Sequence, residues 1–556
     1  MDVFSLRDNV IRDYGAYVRS FLTIKDERIR QLVDQEMDTG FLWPDPLIQL
    51  SPAFESGDTL QQLIDAGELH PECINIFREK REDGRLGAPF QLHRHQVDGI
   101  RAARAGDSYV LTTGTGSGKS LAYIVPIVDH VLRRGSGKGI QAIIVYPVNA
   151  LANSQMGELE KFLCLGYPDG HSPVTFRRYT GQEPDDERKE IISNPPDILL
   201  TNYVMLELVL TRPWDYQLIT AATGLRFLVL DELHTYRGRQ GADVAMLVRR
   251  LREACVAKQL LHVGTSATLA GSGTWAEQRN EVAALASRLF GVTVKPQRVI
   301  GETLRRVTPE QDFSDPIVVE GLRNRLQPPV QLPERDTDSI LADPLFAWIE
   351  TTLGVRREAG SGRLGRCVPR SLSGDEGAAA SLAKLTNLDR DSCEAQLRET
   401  LLSAYGCRDA NGHPLFAFRL HQFVSKGEAV YASLEPEETR HVTLRAQQFV
   451  PGTGRDKILL ALAFCRECGQ EYYTVRRGQN EGGRPVYMTR SLSDRLDTED
   501  GVAGYLYISQ TEPWPDKPAD FIPKLPDTWL DTTGSSVTVR RNQRENLALL
   551  KQVWVG

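Results

Sequence analysis

Cysteine is scarce: the chain has eight in 556 residues, and only Cys465 and Cys468 lie close together. That is too few and too scattered for a disulfide framework, and a reducing cytosol is the expected home. No run of about 18 apolar residues occurs, so no membrane span or membrane partner is expected. The opening stretch, MDVFSLRDNVIRDYGAYVRS, is charged throughout and holds no apolar core of signal-peptide length. A surplus of positive charge is missing as well. The net charge of −7 argues against a general basic coat for nucleic acid but leaves room for a local basic groove. Internal repeats are absent. The remaining composition, 41% hydrophobic and 25% charged, fits ordinary globular protein. The length suggests roughly three or four domains.

One short stretch carries chemistry: LTTGTGSGKS, Leu111 to Ser120. The apolar, β-branched lead-in SYVLTT reads as a buried strand, and KSLAYIVPIVDHVLRR reads as a helix. Glycines between them let backbone N–H groups turn inward around phosphate oxygens. The start of the helix adds a dipole that favours anions. The loop residues Thr113, Gly114, Thr115, Gly116, Ser117, Gly118, Lys119 and Ser120 are therefore candidates to hold a nucleotide. Lys119 would reach the β- and γ-phosphates, and Ser120 would ligate Mg²⁺. The loop departs from the P-loop pattern G-x-x-x-x-G-K-[ST] at its first position, where Thr113 stands for glycine.

Such a loop needs an acidic partner at the end of a neighbouring strand, and LRFLVLDELH supplies one. Leu225 to Leu230 is an apolar strand that ends at Asp231 and Glu232. Asp231 would hold Mg²⁺, and Glu232 would orient and polarise an attacking water. Phosphoryl transfer asks for positioning and charge neutralisation more than for covalent chemistry.

Along the chain, residues 1–85 read as an N-terminal helical accessory domain. From 86 to 300, apolar strands at Tyr109–Thr112, Ala142–Tyr146, Ile198–Thr201, Phe227–Leu230 and His262–Thr265 alternate with helical patterns. The expectation is an α/β fold with a doubly wound parallel sheet and ligands at the carboxyl ends of its strands. Residues 301–460 read as a mixed α+β insert, with small, polar residues at 357–381 suggesting a mobile loop. Residues 461–556 read as a β-rich segment that contains the cysteine pair.

Further motifs follow in a fixed order. FQLHRHQ lies ahead of the loop, YPVNALANSQ and YTGQ follow it, then LLTNYVML, DELH and TSAT. In this order they resemble the superfamily 2 DEAD/DEAH-box helicases, with DELH in DExH form. The run DELHTYRGRQGADVAMLVRRLRE and the later FCRECGQEYY are similar to a branch of large helicases with Hrq-type or MrfA-type motors, some found in anti-phage islands of the Druantia and DISARM kinds.

The resemblance implies a RecA-like first lobe and an ATP-dependent helicase or translocase acting on DNA. It implies ATP and Mg²⁺ as cofactors and gives Gln96 the role of reading adenine. Pro147 and Asn149, Thr180 and Gly181, and Thr201 and Asn202 would grip one DNA strand through its backbone. His234, Ser266 and Thr268 would couple the ATP state to that grip. The catalytic set it implies is Lys119, Asp231, Glu232 and His234, and anti-phage defence partners follow by the same analogy. Arg237, Arg239, Arg249, Arg250 and Arg252 add local positive charge, though the last three also fit a solvated helix face.

Residues 270–556 hold no Q-x-x-G-R-x-x-R motif, the usual mark of the second lobe's arginine finger. A second lobe supplied by another chain, or by a missing C-terminal part, is therefore expected. The alternatives are a nucleotide-gated DNA-binding module that recruits a partner and hydrolyses little, or an RNA helicase. Cys465 and Cys468 form C-x-x-C before a glycine, the shape of a zinc-knuckle turn. Zinc is a candidate ion there, although a second ligand pair at regular spacing is missing.

Overall fold

The structure is a computed structural model. It describes residues 2–80, 86–114, 116–165, 167, 172–266, 273–327, 337–358, 362–408, 416–425, 427, 429–480, 482–490, 501–509, 515, 517–525, 527–534 and 536–543. The chain divides into two compact units: one of residues 49–368 and 403–418, the other of 1–48, 369–402 and 419–556.

The first unit is built on a seven-stranded parallel sheet. Its strands are Tyr109–Thr112 (β1), Ala142–Tyr146 (β2), Phe176–Arg178 (β3), Ile198–Asn202 (β4), Phe227–Leu230 (β5), Leu261–Ser266 (β6) and Val299–Gly301 (β7). Their order is 7-1-6-5-2-4-3, and every neighbouring pair runs parallel. Strands buried on both faces need near-continuous apolar sequence. YVLT, AIIVY and FLVL meet that need, and every residue of β1, β2 and β5 is buried.

The two faces have separate cores. Leu111, Ile144 and Val229 pack with Tyr123 and Ile127, which belong to the helix Leu121–Arg134 (α1). Val110, Ile143 and Leu228 pack on the other face with Leu247 and Val248 of Gly238–Ala254 (α2) and Phe290 of Trp275–Phe290 (α3). Val244, Leu247, Val248 and Leu251 recur at helical spacing on the buried side of α2. Each fully buried aliphatic side chain of this kind stabilises by about 1.5–3 kcal/mol. This is the doubly wound, RecA-like architecture. Because the strands are parallel, Thr112, Tyr146, Asn202, Leu230 and Ser266 all end at one edge.

Two strands escape the sequence reading, β3 and β7. Each has three residues, and Phe-Arg-Arg has no apolar run to announce it. The stretch read as a mobile loop near 357–381 is also ordered in part. Val355–Arg357 (β8) and Leu364–Arg366 (β9) form an antiparallel ribbon, and residues 378–386 are helical.

The second unit joins chain ends that the sequence reading kept apart. The helices Val3–Ser20 and Glu27–Asp38 belong to it. Ile29, Val33 and Met37 pack against Leu460, Leu462 and Tyr473 of an antiparallel sheet. Residues 49–80 instead belong to the unit of the parallel sheet. No helix among the described residues is long and apolar enough to cross a membrane.

Candidate ATP site and nucleic-acid groove

The glycine loop leaves β1 and enters α1, with Ser120 at the helix N-cap. Gly116 and Gly118 take φ of +81° and +67°, values that L side chains resist. Thr113 now has a reason to replace glycine. It is fully buried, and the Ser117 hydroxyl donates to its oxygen at 2.8 Å across the loop. Thr115 lies outside the described residues.

The segment before the loop closes on it. Gln96 Nε2 donates to the Gly118 carbonyl at 2.8 Å, while Gln96 Oε1 accepts from the His93 N–H at 2.8 Å. His95 Nε2 lies 2.9 Å from the Ser117 carbonyl. Burial lowers the His95 pKa, and the neutral ring with its proton on Nε2 donates that bond.

The acidic pair arrives at the end of β5. Lys119 Nζ lies 2.8 Å from Glu232 Oε1. Asp231 is 8% exposed and accepts from the Thr265 hydroxyl of β6. The same hydroxyl oxygen accepts the Glu232 N–H at 3.1 Å. Burial, foremost, raises the Asp231 carboxyl pKa. His234 Nδ1 stands 3.2 Å from Glu232 Oε2 and 3.3 Å from Ser266 Oγ. Lys119, Asp231, Glu232, His234 and Ser266 thus form one connected constellation, with Ser120 in the loop beside it. Ser120 Oγ donates to Gln155 Oε1 at 3.4 Å. Thr268 lies outside the described residues.

Five of the six residues assigned to nucleic acid line one cavity of about 550 Å³: Pro147, Asn149, Thr180, Gly181 and Asn202. Asn202 organises it. Its Nδ2 donates to Asn149 Oδ1 at 2.7 Å and to the Thr180 carbonyl at 3.1 Å, and its Oδ1 caps the following helix through the Met205 N–H. The sixth, Thr201, is turned away: it is 1% exposed and donates to the Tyr179 carbonyl at 2.7 Å. A strand buried on both faces leaves no alternation from which that direction could be read.

Three residues in or behind this groove went unread in the sequence. Arg188 and Arg212 line it and bring positive charge. Glu183 accepts the N–H groups of Thr180 and Gly181 at 2.8 and 2.9 Å, so this carboxylate already satisfies the turn's backbone donors. A carboxylate three residues after a hydroxyl resembles a capping box, a signal that could have exposed it. Arg249 and Arg252 serve structure, bonding the carbonyls of Arg288, Leu289 and Gly291 at the end of α3.

Residues 93–274 match the DEAD/DEAH box helicase family. The match spans the loop, the acidic pair and every residue of the groove. Residues 93–274 form a DEAD/DEAH-box helicase domain. Among curated proteins, the chain is similar to the uncharacterized ATP-dependent helicase YprA of Bacillus subtilis. The identity is 28% over 214 residues, covering 38% of this chain and 26% of that protein. It is also similar to the Druantia protein DruE of Escherichia coli, with 24% identity over 365 residues, 45% of this chain and 19% of that protein. The chain therefore matches about a quarter or less of each relative's length. Among solved structures, the DUF1998 helicase MrfA bound to DNA aligns with TM-score 0.36 and 21% identity, over 53% of this chain and 40% of that one.

Outside the helicase domain lies the cysteine pair that the sequence offered to zinc. Cys465 and Cys468 sit in a tight turn in which the Gly469 N–H donates to the Cys465 carbonyl at 2.9 Å. The Cys468 backbone N–H foremost lowers the Cys465 thiol pKa, whereas burial raises that of Cys468. Zinc takes four ligands. Among the described residues no group of three or more His, Cys, Asp or Glu is placed to hold a metal ion.

Proposed function

We propose that this chain is the ATP-binding lobe of a DNA helicase or translocase. One observation carries the reading: the Lys119–Glu232–His234–Ser266 constellation and the Asn202 groove open on the same carboxyl edge of one sheet. The loop amides and Lys119 hold the phosphates, and Gln96, whose amide bonds the Gly118 carbonyl and the His93 N–H, is assigned to adenine by the family resemblance. Ser120 and Asp231 offer hydroxyl and carboxylate oxygens, the hard donors that suit Mg²⁺. When bound, Mg²⁺ neutralises charge on the β- and γ-phosphates. Glu232 orients the attacking water and takes up its proton. His234 and Ser266 link that carboxylate to the end of β6. Arg188, Arg212, Asn149 and Asn202 hold a single strand through its backbone, a sequence-tolerant and salt-sensitive grip.

A second RecA-like lobe from another chain, or from sequence beyond this one, completes the motor in this proposal. The missing Q-x-x-G-R-x-x-R motif supports that reading, and it also favours the binding-module alternative for the chain by itself. The resemblance to large anti-phage helicases extends the proposal to defence.

Anisotropy of a labelled DNA oligonucleotide, with and without a non-hydrolysable ATP analogue and Mg²⁺, tests the pairing of the two sites. The analogue should change DNA affinity in the wild type, and Lys119→Ala should abolish that change. Asn202→Ala should weaken DNA binding about thirtyfold, since it removes two groove bonds worth about 1 kcal/mol each. An Asn202→Ala protein that binds DNA like the wild type would refute the groove.

A further inference from the structure

Two cations stand at the glycine loop, and a carboxylate holds each. The first is Lys119, paired with Glu232 at 2.8 Å. The second comes from far along the chain. Arg366 makes a two-pronged bond to Glu302, with Nε to Oε1 and a terminal nitrogen to Oε2, both at 2.7 Å. Glu302 Oε2 also accepts the Gly114 N–H at 3.1 Å. The guanidinium lies so close to the loop that a Cβ on Gly114 would stand 2.6 Å from its central carbon. A side chain there would make the guanidinium shift. Both side chains are 17% exposed, so the pair is neither sealed in nor freely solvated.

The mount of this arginine is tied at several points. Arg366 ends β9 of the β8–β9 ribbon. Its neighbour Arg363 lies 3.8 Å over the Trp275 ring at the start of α3 and donates to the Glu302 carbonyl at 3.1 Å. Glu302 itself directly follows β7, which pairs with β1. The loop is thus buttressed on its first limb by elements that follow the seven strands in sequence.

The loop also has a direction. Gln96 bonds Gly118, so if Gln96 reads adenine, as the ATP-binding reading has it, the base lies toward that end and Gly114 lies toward the terminal phosphate. We infer that Arg366 contacts the terminal phosphate of bound ATP, exchanging the Glu302 carboxylate for a phosphate. The planar fork of arginine matches carboxylate and phosphate in the same bidentate way, and a triphosphate presents more negative charge than one carboxylate. Arg366 then gives the ATP site a guanidinium from within the chain. The inference rests on the ATP-binding reading above.

The test measures affinities of the full chain, with Mg²⁺, for a non-hydrolysable ATP analogue and for ADP. Arg366→Ala should weaken the analogue about tenfold or more and change ADP by no more than about twofold. Arg366→Lys, which keeps the charge without the fork, should fall between Arg366→Ala and wild type. Glu302→Gln should bind the analogue at least as tightly as wild type, because the competing carboxylate charge is gone. Equal losses for the analogue and ADP would overturn the inference, since a merely structural pair would move both. Unchanged affinities in Arg366→Ala would overturn it too. If Arg366→Ala does not fold, Arg366→Gln carries the same comparison. Lys119→Ala separates the two readings. Loss of nucleotide binding in Lys119→Ala, beside wild-type affinities in Arg366→Ala, sinks only the role of Arg366. Wild-type binding in Lys119→Ala sinks the ATP-site reading itself.

Discussion

Glu232 sits at φ +53°, in the left-handed region that a residue with a side chain enters at a cost of about 1–2 kcal/mol. The surroundings hold it there: Thr265 accepts its N–H, while Lys119 and His234 flank its carboxylate. In this conformation the carboxylate reaches the loop, where it pairs with Lys119. A titration belongs to this scale as well. His262 on β6 is fully buried, stacks on Phe290, and has its pKa lowered by burial to about 4. An unfolded histidine titrates near 6.5. Between those values the unfolded chain binds a proton that the folded chain refuses, so stability falls as pH drops from about 6.5 toward 4. The slope is at most about 1.4 kcal/mol per pH unit for each such histidine. His262→Phe should flatten the dependence of the denaturation midpoint on pH between 7 and 5. An unchanged slope would show that His262 does not titrate as a buried neutral ring.

Elements are held to one another by a few polar ties. Arg440 is 1% exposed in its side chain and bridges Asp26 at 2.5 Å and Glu471 at 2.7 Å. Asp26 also caps the helix Glu27–Asp38 through the Ile29 N–H. One guanidinium therefore ties that helix to the antiparallel sheet. Arg440→Ala would leave Glu471, 6% exposed, without its cation, and should cost about 3–5 kcal/mol of unfolding free energy. Chemical denaturation checks this, and a variant of wild-type stability would contradict it.

Legibility in the sequence follows the same physics. β1, β2 and β5 could be read because strands covered on both faces must be apolar throughout. The glycine loop and the Asp231–Glu232 pair could be read because their chemistry is local. Arg366 and Glu302 could not, since Glu302 lies 188 residues beyond Gly114 and only the closed sheet brings them together. Thr201 and Asn202 look alike as polar residues at a strand end, yet one points into the core and the other caps a helix. The segments drawn along the sequence missed the joining of the N-terminal helices to the later antiparallel sheet. That partnership lies in packing between distant stretches and leaves no local periodicity.

At the scale of the whole molecule, one seven-stranded parallel sheet presents both the glycine loop and the candidate groove on a single edge. An arginine finger contributes about 10³- to 10⁵-fold to rate in related phosphoryl-transfer enzymes. Turnover therefore reports whether this chain completes its own site. The decisive measurement is ATP hydrolysis by the full chain with Mg²⁺, with and without single-stranded DNA, beside Glu232→Gln. The account predicts turnover that rises with DNA and is lost in Glu232→Gln, weak for the chain alone and stronger once a second lobe is added. Hydrolysis indifferent to DNA, or surviving in Glu232→Gln, would contradict it.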